Sequence, residues 1–326
     1  MALPLLACGL VLAPAQARSD VHRASQALMG TQVDLTLQGG DSAFLAEASR
    51  AAFAEMARLE QMMSRYRPTS VLNAINLLAG LQAVSVPPEL LRVLLMAQSM
   101  AKASGGAFDA MVGAFRDWNF SPEHPVIPSA NQLAAQRGLV DPAGLIIDQQ
   151  AGTAFLARRG MRLDLGGIAK LPILQAGLRM LQERGVANAM LNGGGDVLVM
   201  GKLNGHPWLI GLRDPRQPDR LLGSIALSQG FIAASGDYER FLMHQGNRLH
   251  HILNPKTGYP TEGLHGVTLI GERLEDINGL GPALMVAGAA FGRARLAEHA
   301  GLDALLVDRD GAVWISPGMS RRMSPA

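Results

Sequence analysis

The chain has 326 residues, 48% of them hydrophobic and 17% charged, and a formal net charge of +2. That length and apolar content support a sizeable core and argue against extensive disorder. The charge gives no polybasic argument for nucleic acid, and an aromatic content of 5% argues against a base-stacking platform.

The first residues, MALPLLACGLVLAPAQA, are apolar from Ala2 to about Ala13 and end in Ala15-Gln16-Ala17. They read as a secretory signal over 1–17, and so as an exported or periplasmic protein. The usual basic n-region is missing, which on this reading places the true start upstream; a buried N-terminal helix is the alternative. The stretch is short for a transmembrane helix. Cys8 is the one cysteine and sits in a faint lipoprotein-type box, Leu5-Leu6-Ala7-Cys8, so membrane attachment is expected only if Cys8 is lipidated. Cleavage after Ala17 leaves no cysteine and therefore no disulfide framework.

Residues 29–37 alternate like a strand, with Val33, Leu35 and Leu37 on one face. Asp41 or Ser42 then caps a helix over 42–63 whose apolar face is Phe44, Leu45, Ala48, Ala52, Met56 and Leu59. Pro68 turns the chain, Ser70 caps a short helix, and Pro87 opens another that runs to about Ala103 and stops at Ser104-Gly105-Gly106. Residues 115–160 read as irregular, with a strand-like piece at Leu145-Ile146-Ile147. A helix over 171–184 leads to a strand ending in Asn192-Gly193-Gly194-Gly195-Asp196. Strands follow at 208–212, 222–227 and 231–234, then a hairpin through Phe241 and Leu249, and a strand at 267–270. A helix over 278–300 and a two-residue turn at Asp310-Gly311 come next, and the tail from Pro317 reads as frayed.

Three places carry chemistry. In LDLGGIAK (163–170) an aspartate enters a paired-glycine turn and a lysine starts a helix. Backbone can approach a ligand closely there, helix-start N–H groups suit phosphate, and Asp164 can accept from a ring N–H or help hold a metal. Many structural turns share that pattern. Ala107-Phe108-Asp109, placed after a glycine stop, can cover a planar ligand and accept its N–H; a core phenylalanine beside a solvated aspartate is the equal alternative. His250 and His251 are adjacent in a strand, so they point to opposite faces and do not share a metal site.

Taken in order, MGT (29–31), MSRYRPTSVLNAIN, GGAFDAMVGAF, LDLGGIAK, NGGGDV, ASGDYERF and HHILNPKTGYP resemble the blocks of the ApbE family of flavin transferases, from about residue 27 to 316. The resemblance implies an α+β, T-fold-like architecture, with mixed sheets, packed helices and a flavin cleft between two joined lobes of a single domain (18–326). It implies FAD and Mg²⁺, transfer of FMN to a threonine or serine hydroxyl with loss of AMP, and as acceptor a flavoprotein subunit of a redox complex. Carried over by position, Met29, Tyr66, Ala107, Phe108, Asp109, Asp164, Lys170 and Ile252 are flavin-contacting residues. Ala169 offers a metal-binding carbonyl, and His251 is the base for the acceptor hydroxyl.

The resemblance breaks in EDINGLGPALMVAG (275–288). There Asn278 and Pro282 stand where the family has an aspartate and a threonine as metal ligands, and Asp276 falls two residues early. Mg²⁺ prefers charged oxygens. Asn278 is therefore a doubtful ligand, and Leu171 and Gln175 also depart from the family's glycine and aspartate. Three readings stay open: a transferase with a rearranged metal site, a flavin-binding carrier or scaffold without transferase activity, and a flavin-free interaction protein.

Overall fold

The computed structural model describes residues 20–297 and 301–325. The signal-like stretch 1–17, with Cys8, lies outside the described residues, as do the last three residues of the helix expected over 278–300. The chain opens with strands β1 (Val21–Leu28) and β2 (Thr31–Gln38), helices α1 (Ser42–Met63) and α2 (Val71–Leu77), strand β3 (Val84–Ser85) and helix α3 (Pro88–Ala103). Then come α4 (Ala130–Arg137), β4 (Leu145–Asp148), β5 (Thr153–Leu156), α5 (Lys170–Glu183), β6 (Asn188–Gly193), β7 (Asp196–Met200), β8 (Trp208–Asp214), β9 (Gln217–Leu227) and β10 (Gln229–Gly236). The remainder is β11 (Phe241–His244), β12 (Asn247–His250), β13 (Leu264–Gly271), α6 (Leu274–Ile277), α7 (Leu280–Ala297), β14 (Asp303–Asp308), β15 (Val313–Ile315), α8 (Pro317–Arg322) and β16 (Met323–Ser324). The class is mixed α+β.

The main sheet has eight strands in the order β1-β2-β6-β7-β10-β13-β14-β15, every neighbouring pair antiparallel. Side chains alternate between its faces. In β7, Leu198 and Met200 join the helix-side core, while Val197 and Val199 join a second core. In β14, Ala304 and Leu306 go one way and Leu305 and Val307 the other. Central strands buried on both faces lose the alternation of polar residues and read as continuous apolar runs. The helix face is covered by α1, α5 and α7. Asp41 caps α1 by accepting from the Phe44 N–H at 2.8 Å, and Leu45, Ala48, Ala52, Met56 and Leu59 form its buried stripe, as the spacing predicts. The opposite face carries the smaller sheet β16-β9-β8, with Trp208, Ile210, Leu212, Ile225 and Leu227 packed on it.

Several expectations change. A strand precedes the one expected at 29–37: β1 is an edge strand with little buried surface, and so has weak alternation. Helix α4 falls inside the stretch read as irregular. It buries only Leu133 and Gln136, but Ser129 and Gln132 form a reciprocal capping box. The helix expected over 278–300 is α7, which kinks at Gly288, where φ is 83°, and the one-turn α6 precedes that range. The hairpin at Asp310-Gly311 closes one residue wider than expected, with Asp308 N–H donating to the Ala312 carbonyl at 3.0 Å.

The tail is not frayed. Ser316 caps α8, β16 pairs with β9, and Met319 is 0% exposed in the second core. Met319→Ala is expected to cost about 2–5 kcal/mol, the range for emptying a buried methionine site. Denaturant unfolding would measure that loss; a change near zero would mean the tail does not contribute to the core.

Candidate active site

The site grows from a segment with no regular structure. The run Leu163–Leu165 joins no sheet. Instead Asn76, buried on α2, clamps it at two points. Its Oδ1 accepts from the Leu163 N–H at 2.7 Å, and its Nδ2 donates to the Leu163 carbonyl at 3.1 Å. The Asp164 N–H donates to the Ala110 carbonyl at 2.7 Å. A buried backbone group left unpaired costs about 1–3 kcal/mol, so these bonds are what allow irregular chain here. Leu163 and Leu165 then enter the core, while Arg162 and Asp164 face a cleft of about 1210 Å³. Asp164 Oδ1 accepts from the Gly166 N–H at 2.8 Å and closes the turn. A Cβ at Gly167 would stand 3.3 Å from both Phe108 and Pro282, so this close approach favours glycine.

Of the residues singled out from sequence, Met29, Tyr66, Ala107, Phe108, Asp109, Asp164, Lys170, His251, Ile252 and Asn278 all line this cleft. Ala169 is buried and is not part of the lining. Met29 and Gly30 turn the chain between β1 and β2 with φ of 55° and 69°, the positive values a two-residue hairpin turn needs. For methionine that conformation costs roughly 1–2 kcal/mol, a strain located on the cleft wall. Ser104 Oγ accepts from the Phe108 N–H at 2.9 Å and so places Ala107-Phe108-Asp109. The Asp109 carboxylate accepts from the Met111 N–H at 2.8 Å, and burial raises its pKa to about 6.

Charges in the cleft are mostly paired. Arg65 bridges Asp164 at 3.0 Å and lies 4.8 Å over the ring of Tyr66, which is itself 68% exposed at the rim. Lys170 Nζ is 3.1 Å from Asp196, whose other oxygen accepts from the Ala234 N–H at 2.9 Å. Arg162 has no hydrogen-bond or carboxylate partner among the described residues. Burial, then Arg116 and Arg65, hold its guanidinium below its usual range. Sequence reading missed Arg65, Asp196 and Arg162 as site residues. The first two lie inside quoted blocks, whereas Arg162 shows no pattern of its own.

His250 and His251 do diverge: His250 is buried and His251 lines the cleft. The Arg240 carbonyl lies 3.2 Å from His251 Nδ1 and 3.0 Å from its N–H. A carbonyl can only accept, so Nδ1 carries the proton and Nε2 holds the lone pair of a base. Burial first, then the charge of Arg240, push the His251 pKa down to about 4.

Residues 29–306 match the family model described as the ApbE family. The chain belongs to the ApbE family. It is 31% identical to an FAD:protein FMN transferase of Klebsiella pneumoniae (strain 342), covering 94% of this chain and 95% of that one. It is 29% identical to an FAD:protein FMN transferase of Treponema pallidum (strain Nichols), covering 98% and 94%. The crystal structure of the ApbE protein from Thermotoga maritima superposes with a TM-score of 0.86 at 29% identity, covering 94% of this chain and 100% of that one. The flavin transferase ApbE from Vibrio cholerae superposes with a TM-score of 0.79 at 26% identity, covering 93% and 99%.

The positions where the resemblance implies metal ligands carry few donors for one. The Ala169 carbonyl accepts a helical bond from the Ile173 N–H at 3.1 Å. The Asn278 amide is neutral, and its Nδ2 lies 3.6 Å from Met96 Sδ. Pro282 presents an apolar ring to the turn. Asp276 does not line the cleft; it is exposed and 3.9 Å from Arg273. Among the described residues no group of three or more His, Cys, Asp or Glu could hold a metal ion. This donor set does not fit Mg²⁺, which favours charged oxygens in octahedral array.

Two outcomes follow. In an NMR titration the His251 ring is expected to titrate near 4. Its neutral form contributes stability that is complete above the unfolded value of 6.5 and is lost as pH falls from there toward 4. Asp109 has the opposite sign: its burial penalty is present above pH 6 and is relieved as pH falls toward 3.8. A His251 titration near 6.5 would refute the desolvated setting of this ring on the cleft wall. By calorimetry with Mg²⁺ alone, Asn278→Asp combined with Pro282→Thr is expected to bind at least about tenfold more tightly than the unaltered protein, because it restores a charged oxygen and a hydroxyl. Equal affinities would locate metal binding elsewhere.

Proposed function

We propose that this protein is an FAD:protein FMN transferase that moves FMN from FAD to a threonine or serine hydroxyl of a partner flavoprotein and releases AMP. The observation that carries the proposal is His251: a neutral imidazole with its Nε2 lone pair free, on the wall of a cleft that also holds Lys170 and the flavin-contacting positions. The hydroxyl oxygen attacks the phosphorus on the FMN side of the diphosphate. The bond from that phosphorus to the bridging oxygen breaks, AMP leaves with the bridging oxygen, and the hydroxyl proton passes to Nε2 of His251. Lys170, held in place by Asp196, supplies positive charge to the phosphates. Tyr66 with its stacked Arg65, together with Phe108, Met29 and Ile252, offers apolar and aromatic surface for the planar rings. Asp109 and Asp164 are acceptors for ring N–H groups.

Magnesium has no step in this proposal, because the donors present do not fit it. The altered metal side would suit the carrier reading, but the proton acceptor in the cleft and the relatives named as FAD:protein FMN transferases favour transfer. The partner we propose is a flavin subunit of an exported redox complex. The location is periplasmic or otherwise exported through the signal-like residues 1–17, with membrane attachment through Cys8 if it is lipidated. Among the described residues, no helix is long and apolar enough to cross a membrane.

Purified protein would be incubated with FAD and an acceptor domain carrying a target threonine, with Mg²⁺ or EDTA, and AMP release and acceptor mass followed. An FMN-sized mass gain matched by AMP is expected. His251→Ala is expected to lower transfer on the order of 10²–10⁴-fold while FAD binding persists, the range for loss of a positioned base. FAD binding without labelling, in a mixture where another ApbE transferase labels the same acceptor, would defeat the proposal.

A further inference from the structure

The base of the proposed reaction sits just beyond the end of β12, and a turn holds a side chain only as firmly as its backbone is held. On one side the Arg240 carbonyl grips His251. On the other side stands His250, 2% exposed. Its Nε2 is 2.7 Å from the Thr261 carbonyl, and its Nδ1 is 3.3 Å from the Ile252 N–H. The carbonyl can only accept and the amide can only donate, so Nε2 carries the proton and Nδ1 the lone pair. Both ring nitrogens are committed, and to opposite roles. Burial lowers the His250 pKa and favours the neutral ring this arrangement needs, since an imidazolium could not accept from Ile252.

Thr261 extends the connection. Its N–H donates to the Ile252 carbonyl at 3.0 Å, and its Oγ1 donates to the Met285 carbonyl at 2.6 Å. Met285 lies on α7 shortly before the Gly288 kink, and the same helix brings Pro282 to the cleft. A continuous chain of bonds thus runs from α7 through Thr261 and His250 to the peptide that follows the base. We infer that His250 is a positioning residue: its Nδ1, by accepting from the Ile252 N–H, holds the Ile252 peptide and so sets the direction in which His251 presents Nε2 to the cleft. The inference rests on the transferase reading for its catalytic meaning. Its geometric content, the orientation of His251, is testable without turnover.

Three variants separate the two bonds. His250→Asn places an amide oxygen near Nδ1 and can accept from Ile252. His250→Gln places an amide nitrogen near Nε2 and can donate to Thr261. His250→Ala does neither. With FAD and an acceptor domain bearing a target threonine, the Asn variant is expected to keep kcat within about 3-fold of the unaltered protein. The Gln and Ala variants are expected to lose on the order of 10–100-fold in kcat, with acceptor KM little changed, as small misplacements of a reacting group do. Melting temperatures of the Asn and Gln variants are expected to match, so that their difference in rate is not one of folding. Gln turning over as fast as Asn, or rates that follow melting temperature across the series, would overturn the inference.

A second readout stands apart from activity. Ring ¹⁵N spectra are expected to show His251 protonated at Nδ1 in the unaltered protein and the Asn variant, and a mixed tautomer in the Gln variant. One tautomer ratio in all three would overturn the inference. Failure of the unaltered protein to label the acceptor would count against the transferase reading alone.

Discussion

The two-point clamp of Asn76 on Leu163 is the contact on which the cleft depends. Residues 161–166 run through the molecule with neither a sheet nor a helix to satisfy their backbone, and yet they carry Arg162 and Asp164 and lead into the turn that starts α5. A side-chain amide is one of few groups able to satisfy a peptide N–H and C=O together. Because it is buried, that exchange is nearly rigid. A fixed Leu163 sends its neighbours Arg162 and Asp164 to the cleft, closes the Gly166 turn on Asp164, and sets Lys170 at the first turn of α5, facing Asp196.

Around that clamp the two sides of the cleft are built differently. On one side most charges have a neighbour: Arg65 with Asp164, Lys170 with Asp196, and Asp109 with the Met111 N–H. On the side of Asn278 and Pro282, where the resemblance implies metal ligands, the groups are an amide near a methionine sulfur and a proline ring, and the nearest carboxylate in sequence, Asp276, turns outward.

Much of this was legible in the sequence, and the failures have physical reasons. Helix α1 and the buried face of β2 follow from period and cap, because each buries one clear stripe against a single core. The edge strand β1 and the helix α4 bury too little for their periods to show; α4 announces itself only through the Ser129–Gln132 cap. The tail was read as frayed because it is short and basic, but its order comes from pairing with β9, roughly 100 residues earlier, which no local pattern encodes. Arg162 escaped notice for a similar reason: its isolation is a property of what surrounds it.

The sequence by itself determined the family, the order of the blocks and the identity of many of the cleft residues, because motif chemistry is local: a glycine turn, a helix cap and a histidine before an Asn-Pro turn keep their meaning wherever they are placed. It also determined that Asn278 and Pro282 cannot act as an aspartate and a threonine, since that is a matter of which atoms exist. Only the tertiary structure decided that Leu163 hangs from Asn76, that Asp276 faces away from the cleft, and that the His251 ring lines the cleft with Nδ1 committed to the Arg240 carbonyl. Those facts depend on burial and on partners distant in the chain, and charge state and direction are set by surroundings that a linear string does not contain.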